Sequence, residues 1–198
     1  MKARSALLLS LFSLLSLWIE HSWSQAKLAL SAGAVASAEG KLQHLQSNGA
    51  KEHPDPGPTE FTEQEVNAYF ASGNVKLPAG VRSLTLQEQP GAVAGTSQVD
   101  FDQLKTGKNS HNPLLSVFSG VHDVLAIAHA YGAQGQGFVH VDSVSIDGVE
   151  VPDFVLQLFV EKYLKPKYPN VGIDSRFALP ARVDAATVGL HKVSLTQK

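Results

Sequence analysis

The sequence predicts an α+β domain, an antiparallel pattern with helices on one face of a curved sheet and a short N-terminal helix ahead of it. Three observations carry this reading. Residues 138–164, FVHVDSVSIDGVEVPDFVLQLFVEKYL, read as a strand, a tight turn and a helix with little polar relief. Residues 121–131 alternate bulky and small apolar side chains and run into the Gly-rich stretch GAQGQG, as one arm of a hairpin would. Helical patterns are separated by runs of short strands with turn signals between them, which favours an antiparallel arrangement over βαβ units.

In the central stretch, Val139 and Val141 alternate with His140 and Asp142, and Val144 and Ile146 then alternate with Ser143 and Ser145. The apolar set moves from odd to even positions at Asp142-Ser143. One inserted residue, a β-bulge, would restore a single face. Asp147-Gly148 marks a turn, because Gly accepts positive φ without steric cost. Pro152 suits the first turn of a helix, where its missing N–H has no partner to lose, and Asp153 complements the helix dipole. Phe154, Val155, Leu158, Phe159 and Leu164 recur at helical spacing, and Leu156 and Val160 widen the stripe. A helix this apolar is buried on more than one side or faces a nonaqueous ligand. Pro166 ends it, since it disfavours helix at Lys165.

Ahead of this, residues 1–26 have the form of a secretory signal peptide. Lys2 and Arg4 supply the basic start, Ala6 to Leu17 the apolar run, and Ser24-Gln25-Ala26 the small residues of a cleavage site after Ala26. Ala36-Ser37-Ala38 is a second candidate site. The apolar run is too short for an ordinary membrane span. Residues 27–58 are expected to form a polar, Pro-rich, disordered linker that ends in HPDPGP. Residues 59–198 make the single folded domain. Its first helix spans Phe61 to Gly73 behind the capping box Thr62-Glu63-Gln64-Glu65, with Phe61 and Val66 at the hydrophobic-staple positions. Leu77-Pro78-Ala79-Gly80 and Gln89-Pro90-Gly91 are turns, and Val81 to Glu88 and Ala92 to Phe101 are strands. Thr106 to Pro113 is a polar loop and Leu114 to Ser119 fits no single pattern. Val171 to Thr196 holds two or three further short strands, broken at Leu179-Pro180.

Composition removes several functions. The 198 residues contain no cysteine, which excludes disulfides, thiol catalysis and thiolate metal sites. A net charge of −2 with 17% charged residues gives no electrostatic case for nucleic acid. His122, His129 and His140 lie on neighbouring strands and could in principle hold zinc. A hairpin centred near residue 134 would point His129 and His140 to opposite faces, however, and no His-x-His or His-Glu-x-x-His spacing exists. They read better as half-exposed strand residues. Asp100, Asp102, Asp142 and Asp147 sit at outward positions or turns, where solvation or turn stabilisation explains them. No Gly-x-Ser-x-Gly is present, and the glycines at 132, 135 and 137 open no helix, so neither a serine nucleophile nor a phosphate loop is indicated. No enzyme activity, metal or cofactor is expected.

The apolar excess remains. Both faces of residues 121–131 are largely apolar, and the helix at 153–164 is apolar on several sides, where a small domain leaves one side wet. FTEQEVNAYF (61–70), LPAGVRSLTLQEQPGAVAGTSQVDFDQL (77–104) and VDSVSIDGVEVPDFVLQLFVEKYL (141–164) together resemble the bacterial LmeA-like phospholipid-binding proteins. They are more distantly similar to the YceB-like lipoproteins of the tubular lipid-binding superfamily. The resemblance implies a highly curved antiparallel sheet wrapped around a long apolar helix with acyl chains held between them, and no catalytic or metal residues. This chain departs from the lipoprotein pattern in lacking a Cys to acylate. The expectation is an exported, non-enzymatic lipid-binding protein that makes peripheral membrane contact. Leu125, Ile127, Phe154, Val155, Leu158 and Phe159 would line an apolar groove between helix and sheet. The alternative is a cell-envelope interaction module whose apolar face meets a partner protein.

Overall fold

The computed structural model describes residues 31–104, 113 and 118–198. The leader pattern at 1–26, the stretch 106–113 expected as a polar loop apart from Pro113, and residues 114–117 of the stretch that fits no single pattern lie outside the described residues. The fold is α+β and is built on one antiparallel sheet of nine strands. Helix α1 covers residues 31–49. It is followed by β1 (Thr59–Thr62), α2 (Glu63–Ala71), β2 (Thr85–Gln89), β3 (Ala92–Asp100) and the short α3 (Phe101–Leu104). The long hairpin β4 (Val121–Ala133) and β5 (Gln136–Ile146) comes next, then β6 (Val149–Glu150), α4 (Asp153–Phe159), β7 (Asp174–Ala178), β8 (Val183–Gly189) and β9 (Lys192–Gln197).

β4 organises the sheet. One of its edges pairs with β5 along almost its whole length, while the other takes β3 over Val121 to His129 and then β8 at Tyr131 and Gly132. β9 and β1 continue outward from β8, β2 from β3, and β6 and β7 share the far edge of β5. The sequence pattern at Asp142 has its expected cause: the pairing runs Ile127 to Ser143, then Ala128 to Val141, which leaves Asp142 as the extra residue of a bulge. The tight turns also fall where expected, with Gln134-Gly135 at φ 53° and 74° and Asp147-Gly148 at φ 50° and 79°.

Two cores result. The first joins Val99, Phe101, Leu104, Phe118 and Ile146 to Val155, Phe159 and Tyr163 of the α4 segment. The second joins Ala38 and Leu45 of α1 to Phe61 and Val183, with Val66, Leu179 and Leu195 around them.

The structure departs from expectation at two places. The apolar helix is short: α4 is seven residues, continued by five residues of π-helix (Val160–Leu164), and it packs through Val155, Phe159 and Tyr163 on the first core. The turn signal at Pro152 and the stop at Pro166 leave room for only about three turns. The longest of the described helices is α1, in the segment expected to be a disordered linker. Ala38, Leu42, Leu45 and Asn48 lie three or four apart, so they form a continuous stripe against the second core. The stripe is small and partly polar, which hid it. Asn48 is buried because its amide donates to the Gln197 side chain at 2.8 Å and to the Asp55 carbonyl at 2.9 Å, while accepting from the Asp55 N–H. Residues 50–58 are thereby tied to β9 as well.

The free edge of β2 is closed by side chains of α2. Leu86 N–H donates to Asn67 Oδ1 at 2.7 Å, and Asn67 Nδ2 donates back to the Leu86 carbonyl at 2.8 Å. One turn earlier in α2, Glu63 accepts from the Glu88 N–H at 3.0 Å. The Glu88 carbonyl accepts from the His191 N–H at 3.1 Å. Residues four apart on a helix thus substitute for a neighbouring strand and leave no template for edge pairing there.

Candidate ligand-binding site

The six residues expected to line one groove fall into three places. Val155 and Phe159 are core, with the Phe159 ring stacked on Phe118 at 4.1 Å and edge-on to Phe101 at 5.7 Å. Phe154 and Leu158 face away from that core and are 59% and 40% exposed. Leu125 and Ile127, both 39% exposed, lie on the other side of the sheet. The reason is strand periodicity. Val124 packs towards α4, so Leu125 and Ile127 must point to the opposite face. No groove between that helix and that strand face exists.

A concave site among the described residues lies elsewhere. A cleft of about 570 Å³ lies between the end of α2, the connection 72–84 and the start of β2. That is within the size range of small-molecule sites. Phe70, Val75, Leu77, Val81 and Leu84 supply its apolar lining, and Arg82, Ser83 and Thr85 its polar lining. The connection can form a wall because it is pinned to β3. Gly80 turns the chain at φ 91°, a conformation that a side chain would strain, and its carbonyl accepts from the Asp100 N–H at 2.7 Å. Arg82 N–H donates to the Gln98 carbonyl at 2.9 Å, and Ser97 Oγ donates to the Ser83 carbonyl at 2.5 Å. The Arg82 guanidinium reaches Asp100 Oδ2 at 3.1 Å, yet half of its side chain stays exposed. Burial opposes ionisation of Asp100, but the Arg82 guanidinium and the Gln103 N–H outweigh it and hold the carboxyl below its ordinary value.

Sequence reasoning places Phe70 in the first helix and Val81 to Glu88 in a strand, but the strand begins only at Thr85, so that Val81 to Leu84 belong to the connection. Leu77-Pro78-Ala79-Gly80 was legible as a turn. The signal available was four apolar residues, Val75, Leu77, Val81 and Leu84, in a segment that is neither helix nor strand.

The outer face of β4 carries the other arrangement of interest. His129 and His140 are direct partners across the hairpin and share a face, contrary to expectation. The two-residue turn places the hairpin centre between residues 134 and 135, half a residue beyond the expected centre, and so reverses the relation. His129 Nδ1 lies 2.7 Å from Asp142 Oδ2, and His140 Nδ1 lies 2.7 Å from Asp174 Oδ1. The Asp174 contact raises the His140 pKa against a smaller opposing effect of desolvation. Among the described residues, no group of three or more His, Asp or Glu side chains has metal-binding geometry. Beside the histidines, Tyr131 stacks on Phe138 at 4.9 Å and the Arg176 guanidinium lies over Phe138 at 4.6 Å. The face is therefore apolar along β4 at Leu125, Ile127 and Tyr131, and the His129–His140 pair interrupts it between Ile127 and Tyr131. No described helix is long and apolar enough to cross a membrane. No family model, no curated protein and no solved structure matches the chain.

Proposed function

We propose that this is an exported, non-enzymatic binding protein for an amphiphilic molecule, whose apolar chain occupies the cleft lined by Phe70, Val75, Leu77, Val81 and Leu84. The cleft is the observation that carries this reading. Its apolar residues are not packed into either core, so a ligand would remove them from water. Transfer of apolar area is worth ~25 cal/mol per Å², so a chain burying roughly 300 Å² gains about 7 kcal/mol before the cost of its own ordering. Arg82 gives the site one fixed cation, suited to a carboxylate or phosphate head. The resemblance to phospholipid-binding proteins points to the same ligand class, although the site differs from the groove that it implies.

Export rests on the basic start, apolar run and small residues of 1–26. The cut after Ala26 is favoured because Ala38, at 1% exposure, belongs to the packed stripe of α1. A cut after Ala38 would remove the first two turns of that helix.

The test is binding of a fluorescent fatty-acid analogue to purified protein and to two variants. Leu84→Asp should abolish binding, since an apolar chain laid over the new carboxylate would strip it of water. Leu125→Asp, on the far side of the sheet, should leave it unchanged. The reverse pattern favours a second reading, in which the exposed face bearing Leu125, Ile127 and Tyr131 meets a partner protein in the envelope.

A further inference from the structure

The least expected group in the molecule is the side chain of Glu88. It is 1% exposed, and neither carboxyl oxygen has a hydrogen-bond partner. Burying an ionised carboxylate in this way is costly, and the group avoids the cost by holding its proton. Three elements close around it. From α2 comes Glu63, whose Oε2 accepts from the Glu88 N–H at 3.0 Å and lies 2.9 Å from His191 Nδ1. From the β8–β9 turn comes His191, held at φ 53°, whose N–H donates to the Glu88 carbonyl and whose carbonyl accepts from the Glu63 N–H at 2.9 Å. From β3 comes the uncharged Val93, the register partner of Glu88. Glu63 and His191 are thus the titratable groups that face Glu88, and the three residues form a closed circuit joining α2, β2 and the β8–β9 turn.

We propose that Glu88 is the proton-sensitive pin of a latch: seated as the neutral acid, it lets α2 and the β8–β9 turn close on the edge of β2, and on losing its proton it loosens them. Two carboxyl groups at one site cannot both ionise cheaply, and here the roles are divided. Contact with His191 and the Glu88 N–H holds Glu63 below the ordinary carboxylate value. Burial, together with the charge of Glu63, pushes Glu88 above it. The same helix and strand reach the cleft, α2 with Phe70 at its far end and β2 with Thr85 at its start. On the reading of the cleft as the ligand site, release of the latch at higher pH loosens one wall and weakens ligand retention.

The sign follows from linkage. A carboxyl whose pKa is raised on folding costs stability above its unfolded value near 4.5, increasingly as pH rises through the folded value. His122 and His140, whose pKa values are raised by Asp147 and Asp174, also give up stability as pH rises. The informative comparison is therefore wild type against Glu88→Gln, with Glu88→Met as a second uncharged variant. Amide hydrogen exchange of α2 and His191, corrected for intrinsic rates, would be followed from pH 5 to pH 8 in the whole protein. We expect opening to increase severalfold in wild type and much less in both variants. An equal pH dependence in wild type and variants, or none in wild type, overturns the latch. The fatty-acid analogue, added in parallel, separates the two readings. If it never binds while the Glu88-dependent opening persists, the cleft reading fails and the latch stands. If it binds equally at both pH values and the opening is flat, the latch fails and the cleft stands.

Discussion

Glu65 joins two helices through one carboxylate. It completes the capping box of α2, accepting from the Thr62 N–H at 2.8 Å while its own N–H donates to Thr62 Oγ1 at 3.2 Å. It also receives Lys41 of α1 at 2.6 and 2.7 Å and the Ser37 hydroxyl at 2.5 Å. Burial pushes its pKa up, but the Lys41 ammonium, the Ser37 hydroxyl and the Thr62 N–H together bring it down to about 2. Removing it leaves a partly buried ammonium and an orphaned helix start. Glu65→Ala should therefore cost roughly 2–4 kcal/mol in urea unfolding. Because the folded pKa is depressed, the contribution of Glu65 is complete above pH 4.5 and is lost as pH falls towards about 2. The variant should accordingly converge on wild type at low pH, and a constant difference down to pH 2 would contradict this. The capping box itself was readable from Thr62-Glu63-Gln64-Glu65. Its second set of partners was not, because Ser37 and Lys41 lie in a segment with the composition of a linker.

At the scale of elements, local signals proved stronger than lengths and neighbours. The turns at Gly91, Gly135 and Gly148, the bulge at Asp142 and the start at Pro152 are each fixed by one or two residues with a backbone reason, and each appears in the fold. What the helix at 153–159 packs against was not readable. Its two apolar stripes are equally good on sequence, and only tertiary contact decides that Val155 and Phe159 go inward while Phe154 and Leu158 stay out. α1 was missed because its stripe of Ala38, Leu42, Leu45 and Asn48 is too small to stand out from the apolar run before it. Gly49 gives a direct test of its docking. An added Cβ there would lie 2.2 Å from the Ala181 carbonyl oxygen. In a free helix Gly→Ala is stabilising by about 0.5–1 kcal/mol, whereas here the backbone would have to move. Gly49→Ala should instead destabilise by about 1–3 kcal/mol, as overpacking does, measured by urea unfolding. A gain in stability would mean that α1 does not sit on β9 and the 180–182 turn.

For the whole molecule, the α+β class and the antiparallel order were legible, because strand alternation and turn chemistry are local. The excess of apolar surface was legible as an amount but not as a place. In the fold it is distributed over the outer stripe of α4, the outer face of β4 and the cleft beside α2, where one continuous groove was expected. The cleft is the concave member of the three. Its residues come from a connection without periodicity, so that no pattern of spacing marks them. It combines concavity, apolar side chains and a cation paired with Asp100.

The central claim is that an amphiphile binds in that cleft. The most direct measurement is photo-crosslinking of the intact protein with a diazirine-bearing fatty acid, followed by peptide mass spectrometry to locate the adducts. Adducts should concentrate within 70–85, on Phe70, Leu77 or Leu84, and should be competed away by excess unlabelled fatty acid. Adducts concentrated on 121–131 or 154–158, or spread without competition over all the exposed apolar surfaces, would contradict the account.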